Sequence, residues 1–130
     1  MARFADPGTL LSTTHEVDGG LRVRLRLARP SDALRMRSFF GGSETLTRHF
    51  TFFDPRERLA LVAVAMFGHS EEIVGVADVE LVETGVAELG VVVNDAEQDE
   101  GIGRLLTEAV ASLALRHGAT HLRATRERAA

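Results

Sequence analysis

Residues 22–27 read Arg-Val-Arg-Leu-Arg-Leu, a strict alternation. Val23, Leu25 and Leu27 fall on one face, and Arg22, Arg24 and Arg26 on the other. This is the pattern of a half-buried strand. Arg29-Pro30-Ser31-Asp32 follows. Pro30 stops the strand, and Ser31 or Asp32 is placed to cap a helix. That helix carries Ala33, Leu34, Met36, Phe39 and Phe40, and Gly41-Gly42 ends it. Ser43 suits the cap of a second short helix reaching Phe50, with Glu44 in its first turn. Asp54-Pro55 opens another turn.

The period then changes. Residues 61–67 are almost continuously apolar, as in a strand covered on both faces. Residues 68–71 form a hairpin-like connection, and 73–81 and 86–93 read as further strands around a turn at 83–85. The spacing predicts a three-stranded antiparallel meander. Ile102, Leu105, Leu106, Ala109, Val110, Leu113 and Ala114 recur at helical spacing, predicting an amphipathic helix over 102–117 with Gly118 just past its end. Residues 119–125 fit a last strand and 126–130 a frayed tail. The order is β-α-α-β-β-β-α-β, and its closing β-α-β crossover should leave two strands parallel or splayed apart. Residues 1–20 lack a period and read as an arm, with a short strand around 10–14. Residues 21–130 read as one α/β (α+β) domain, a mixed, mainly antiparallel sheet flanked by helices.

Composition narrows the chemistry. A chain of 130 residues, 45% hydrophobic and 26% charged, can build one core. The net charge of −4 argues against nucleic acid as a partner. No apolar run reaches the roughly 20 residues of a membrane helix, and no signal-peptide stretch opens the chain. A soluble, cytoplasmic protein is expected. With no Cys, thiolate metal sites and Cys nucleophiles are excluded. All 15 basic residues are Arg, so no lysine Schiff base is available. His117 and His121 are separated by Gly118, and no metal site is expected.

The segment with the most chemical content is the loop between strand 86–93 and the helix at Ile102. It leaves an apolar strand, carries Gly101 and Gly103, and runs into a helix N-terminus. Such a junction gathers backbone N–H groups and the positive end of a helix dipole, which suits a phosphate. The same two glycines also fit a simple tight turn.

Gln98-Asp99-Glu100-Gly101-Ile102-Gly103 after Val91-Val92-Val93 resembles the Gln/Arg-x-x-Gly-x-Gly/Ala signature of the GNAT N-acetyltransferase superfamily. The resemblance runs from about residue 21 to 125. Arg29-Pro30-Ser31-Asp32, Phe39-Phe40, Arg48-His49-Phe50 and Ala87-Glu88 further resemble the GNAT domains of bacterial protein acetyltransferases. The resemblance implies transfer of an acetyl group from acetyl-CoA to an amine by direct attack. It implies that the backbone of Val91, Val92 and Val93 holds the pantetheine arm. The pyrophosphate would lie over Gln98, Asp99, Glu100, Gly101, Ile102, Gly103 and Arg104. The thioester would lie where strands 86–93 and 119–125 diverge.

Direct attack needs a base. Glu88 is the candidate. By strand parity residues 88, 90 and 92 share a face, and Gly90 leaves room there for a substrate. The alternatives are a solvated Glu88 on an open sheet face, or one paired with the Arg22/Arg24/Arg26 row. Asp78 and Glu80 are weaker candidates of the same kind.

Three features depart from the family. Asp95, Glu97, Asp99 and Glu100 make the phosphate loop acidic, which should weaken CoA binding. The chain has no Tyr to protonate the leaving thiolate. The family's C-terminal helix and strand pair have no counterpart after 125, so strand 119–125 is expected to present an edge through which two copies could pair. A degenerate GNAT domain that senses acyl-CoA or serves as an interaction module is therefore the alternative to an enzyme.

Overall fold

The computed structural model describes residues 14–17, 20–94, 100–124 and 128–129. Its strands are β1 (Thr14–Glu16), β2 (Arg22–Leu27), β3 (Arg58–Phe67), β4 (Ser70–Glu83), β5 (Val86–Val93), β6 (His121–Ala124) and β7 (Arg128–Ala129). Its helices are α1 (Ala33–Phe39), α2 (Glu44–Thr51) and α3 (Glu100–Arg116). One curled sheet runs β1-β2-β3-β4-β5-β6, and β7 also pairs with β5. All pairs from β1 to β5 are antiparallel, and β6 and β7 lie parallel to β5.

The expected mixed, mainly antiparallel α/β architecture is present. The sheet separates two cores. On one side Leu59, Leu61, Ala63 and Ala65 of β3 pack with Ala77, Val79, Leu89 and Val91 beneath α3. On the other, Ala60, Val62 and Val64 pack with Val76 and Val92 beneath α1 and α2. The continuous apolar run of β3 follows from this double cover.

Helix α3 presents Ile102, Leu106, Val110 and Leu113 as a buried stripe, with Leu105 half-buried at its margin. It ends as the sequence predicts. Gly118 takes φ +87°, its N–H donates to Leu115 O at 3.2 Å, and Ala119 N–H donates to Ala114 O at 3.1 Å. These two bonds satisfy carbonyls that the helix end would leave unpaired. The helix sits close over β4 because Gly75 has no side chain. A Cβ there would lie 2.8 Å from Leu106 Cδ1 and 3.0 Å from Ile102 Cγ2.

Several local expectations need correction. The first strand lies at Thr14–Glu16, where it pairs with Arg22–Arg24, and residues 10–13 of the expected strand lie outside the described residues. Neither Ser31 nor Asp32 caps α1 through its side chain. A 3-10 turn, Pro30–Asp32, leads into the helix instead. The Asp32 carboxylate is committed elsewhere, accepting from Arg29 N–H at 2.9 Å and from both terminal nitrogens of Arg26 at 2.8 Å. Arg26 is therefore half-buried and paired, while Arg22 and Arg24 are exposed as the alternation predicts. Ser43 does cap α2, its Oγ accepting from Leu46 N–H at 3.2 Å. The last strand starts at His121 rather than 119, because Thr120 and His121 N–H both donate to Gly85 O. The segment expected to be a frayed tail contains β7, paired with Val92 and Val93.

Candidate active site

Strand parity on β4 and β5 decides which side chains meet. Glu88, Gly90 and Val92 point to the α2 side, and Leu89, Val91 and Val93 to the α3 side, as the alternation predicts. Register then assembles a row of charges across that face. Arg58 of β3 stands opposite Glu80 of β4, Glu80 opposite Glu88 of β5, and Glu88 opposite Arg123 of β6. Two like charges in the middle of such a row repel each other. Arg123 relieves part of this, since its Nη2 and Nε donate to Glu88 Oε2 at 2.9 and 3.1 Å.

Glu88 is thus paired with Arg123 and not with the β2 arginines. Strands β3 and β4 intervene between β2 and β5, and Arg26 is taken by Asp32.

One rung further along, Asp78 stands opposite Gly90. Without a side chain at 90, a cleft of about 290 Å³ opens between the sheet and α2. Asp78, Glu80 and Glu88 line its sheet wall, and Leu46, His49 and Phe50 its helix wall. His49 reaches down from α2, with Nε2 3.0 Å from Asp78 Oδ2. Arg58 Nη1 lies against the same ring, 2.8 Å from His49 Nδ1 and 3.0 Å from Nε2. The Asp78 contact is satisfied by the tautomer in which Nε2–H donates. The imidazole ring also packs edge-on against Phe50, which stacks on Phe40. Nothing in the sequence pattern marked His49 as a partner of Asp78. The residues are 29 apart in the chain, and only the packing of α2 on the sheet joins them.

The residues expected to hold CoA fall into three groups. Val91, Val92 and Val93 are the last three residues of β5, paired with β4 along one edge, while β6 and β7 lie along the other. That edge is shared. His121–Ala124 pairs with Val86–Leu89, and Arg128–Ala129 pairs with Val92–Val93. Gln98 and Asp99 lie outside the described residues, as does the side chain of Glu100. Gly101, Ile102, Gly103 and Arg104 form the first turn of α3. Ile102 is buried and anchors this turn on the sheet, whereas Arg104 is exposed beside a second cleft next to β1. The first turn therefore offers two glycines, an N-terminal dipole and the exposed Arg104 to a phosphate group, opposed by the acidic Glu100 that opens it. The edge of β5 fits an extended pantetheine arm at Val92 and Val93 only if β7 gives way. Among the described residues no group of three or more His, Asp or Glu side chains could hold a metal ion. Nor is any described helix long and apolar enough to cross a membrane.

A mixed sheet, antiparallel from β1 to β5 and continued by two short strands parallel to β5, with a helix start after β5, is a fold shared with known acyltransferase domains. The sequence model of the Acetyltransferase (GNAT) family matches residues 31–129, and the chain belongs to that family. Solved structures share its fold. The GNAT domain of PAT from S. lividans superposes with a TM-score of 0.72 at 22% identity, over 86% of this chain and 76% of that one. A cAMP-binding acyltransferase from Mycobacterium smegmatis gives 0.62 at 22% identity, over 88% of this chain but 37% of its own length. A GCN5-related N-acetyltransferase from Kribbella flavida gives 0.60 at 20% identity, over 75% of this chain and 67% of that one. No curated protein sequence matches closely enough to add a comparison.

Proposed function

We propose that this protein is an acetyl-CoA-dependent N-acetyltransferase of the cytoplasm, acting on an amine that enters the cleft above Gly90. The observation that carries the reading is the position of Glu88. It lies on the cleft wall, three to five residues before the strand end that would hold the pantetheine arm, and on the face opened by Gly90. In this reading Glu88 takes the proton of the attacking ammonium. Val91, Val92 and Val93 bind the arm through their backbone. Residues 98–104, including Gly101, Gly103 and Arg104, seat the pyrophosphate. The acyl-CoA supplies the activated acyl group, and the chain supplies position and a proton acceptor. The Glu88–Arg123 pair must open for this, and only Oε2 is engaged in it.

A second reading, a non-catalytic acyl-CoA sensor, is favoured by two specific observations. Arg123 neutralises the base, and β7 pairs with the edge the arm would need. Thermal unfolding with and without millimolar acetyl-CoA, followed by CoA release over an amine panel, separates these. Binding at 100 times Kd should add about 2.7 kcal/mol to stability. If the midpoint does not move, both readings are wrong. A shift without CoA release favours the sensor. If turnover is found, Glu88→Gln should lower kcat by roughly 10²–10⁴-fold, the usual worth of a general base.

A further inference from the structure

Asp78 differs from its acidic neighbours in how it is held. It is 13% exposed against 31% for Glu88, and its partner comes from a helix rather than from the adjoining strand. Among the described residues its carboxylate is engaged at Oδ2, by His49 at 3.0 Å with Arg58 Nη1 4.0 Å away. The residue opposite is Gly90, so the carboxylate borders the cleft with no side chain across from it. His49 in turn is contacted by Arg58, whose Nη1 lies 2.8 and 3.0 Å from its two ring nitrogens, and by the ring of Phe50. A carboxylate oriented by a fixed donor, beside space of substrate size, is pre-organised to accept from a third group.

We propose that Asp78 is the residue that receives the acceptor's ammonium group through Oδ1, and that His49 is the positioning residue that aims it. This rests on the acyltransferase reading for its meaning and deepens it. Asp78 places the ammonium, Glu88 takes one of its three protons, and the neutral amine that results stays hydrogen-bonded to Asp78 Oδ1 as it attacks. The division follows from the geometry. Glu88 lies on the β6 side of the cleft and is bonded to a strand that borders the proposed thioester site. Asp78 lies one strand further in, under α2. The class of acceptor is then a primary alkylammonium narrow enough for a cleft of about 290 Å³, entering between α2 and the sheet.

The experiment uses n-butylammonium chloride as probe, sodium chloride at matched ionic strength and neutral n-butanol as controls. The readout is the backbone amide resonance of Gly90 in the full chain. Butylammonium should shift this resonance saturably and butanol should not. Asp78→Asn and His49→Ala should each weaken the titration by about tenfold or more, the loss expected with a charge-assisted hydrogen bond. His49→Gln should restore most of the affinity, because its amide N–H can replace Nε2–H. A merely structural His49 would not distinguish Gln from Ala in this way once both are shown folded. Where turnover is measurable, Asp78→Asn should raise KM for the amine and leave KM for acetyl-CoA unchanged. An equal titration in wild type and Asp78→Asn, or an equal response to butanol, overturns the proposal. Should Asp78→Asn fail to fold, the His49 pair and the butanol control decide it alone. If acetyl-CoA fails to bind but the Asp78-dependent ammonium titration persists, the acyltransferase reading falls and this subsite stands.

Discussion

The two faces of the sheet are built from the same strands and have opposite chemistry. Under α3, the buried cluster that runs from Val17 to Ala119 is apolar throughout. Under α1 and α2, apolar packing covers the sheet at Ala60, Val62, Val64, Ile73, Val76 and Val92. Toward β5 that face turns into the row Arg58, Glu80, Glu88 and Arg123, with His49 and Asp78 above it. Toward β2 it carries the Arg26–Asp32 pair. A strand's period of two lets neighbouring residues such as Val79 and Glu80, or Leu89 and Glu88, serve stability and chemistry separately. A site can therefore carry mutually repelling charges because the opposite face of the same strands supplies the packing energy.

This contrast can be broken most severely from the α3 side. Leu106 is completely buried and touches the space above Gly75. Leu106→Ala should cost about 2–5 kcal/mol, the transfer of the lost atoms plus the cavity they leave. Urea unfolding checks this. A loss below about 1 kcal/mol would mean that the α3 face is not the stability-bearing one.

A smaller effect is expected from the ion pair on the other face. Asp32 is 2% exposed. Burial pushes its carboxyl up, but the Arg26 fork, the Arg29 N–H and the charges of both arginines outweigh this and hold it below the ordinary aspartate range. A depressed folded-state value stabilises the fold above the unfolded value near 3.9, and that contribution is lost as pH falls through the folded value. Asp32→Asn should therefore cost about 1.5–3 kcal/mol at neutral pH, from lost hydrogen bonds to a charged group. The difference from wild type should shrink below about pH 4. Denaturation midpoints across pH 2–7 test both size and sign. A difference that grows on acidification would overturn the assignment.

The smallest stability effect belongs to the candidate base. Glu88→Gln removes an ion pair whose Arg123 partner is largely exposed, so stability should change by only about 0–1 kcal/mol. The same substitution is expected to abolish most turnover. A thermal midpoint that falls as far as that of Leu106→Ala would make Glu88 a structural residue and erase the distinction between the faces.

How much of this was legible in advance depended on chain separation. The Ser43 cap, the Gly118 helix end, the α3 stripe and the face shared by Glu88 and Gly90 all follow from residues within a few positions of one another. The phosphate-loop pattern at 98–103 was equally local, and it pointed to the family. The Asp32 cap failed because a competing partner, Arg26, came from the preceding strand six residues away. The Arg123–Glu88 bond spans 35 residues and the His49–Asp78 bond 29.

The sequence by itself determined the elements, their faces and the family, because hydrophobic period, turn chemistry and helix ends are short-range properties of the chain. Tertiary structure alone decided the charge row, the cleft above Gly90 and the pairing of β7 with the expected pantetheine edge. Those depend on strand register and on where α2 lands. Both are chosen by packing the whole core at once, and no local segment carries that choice.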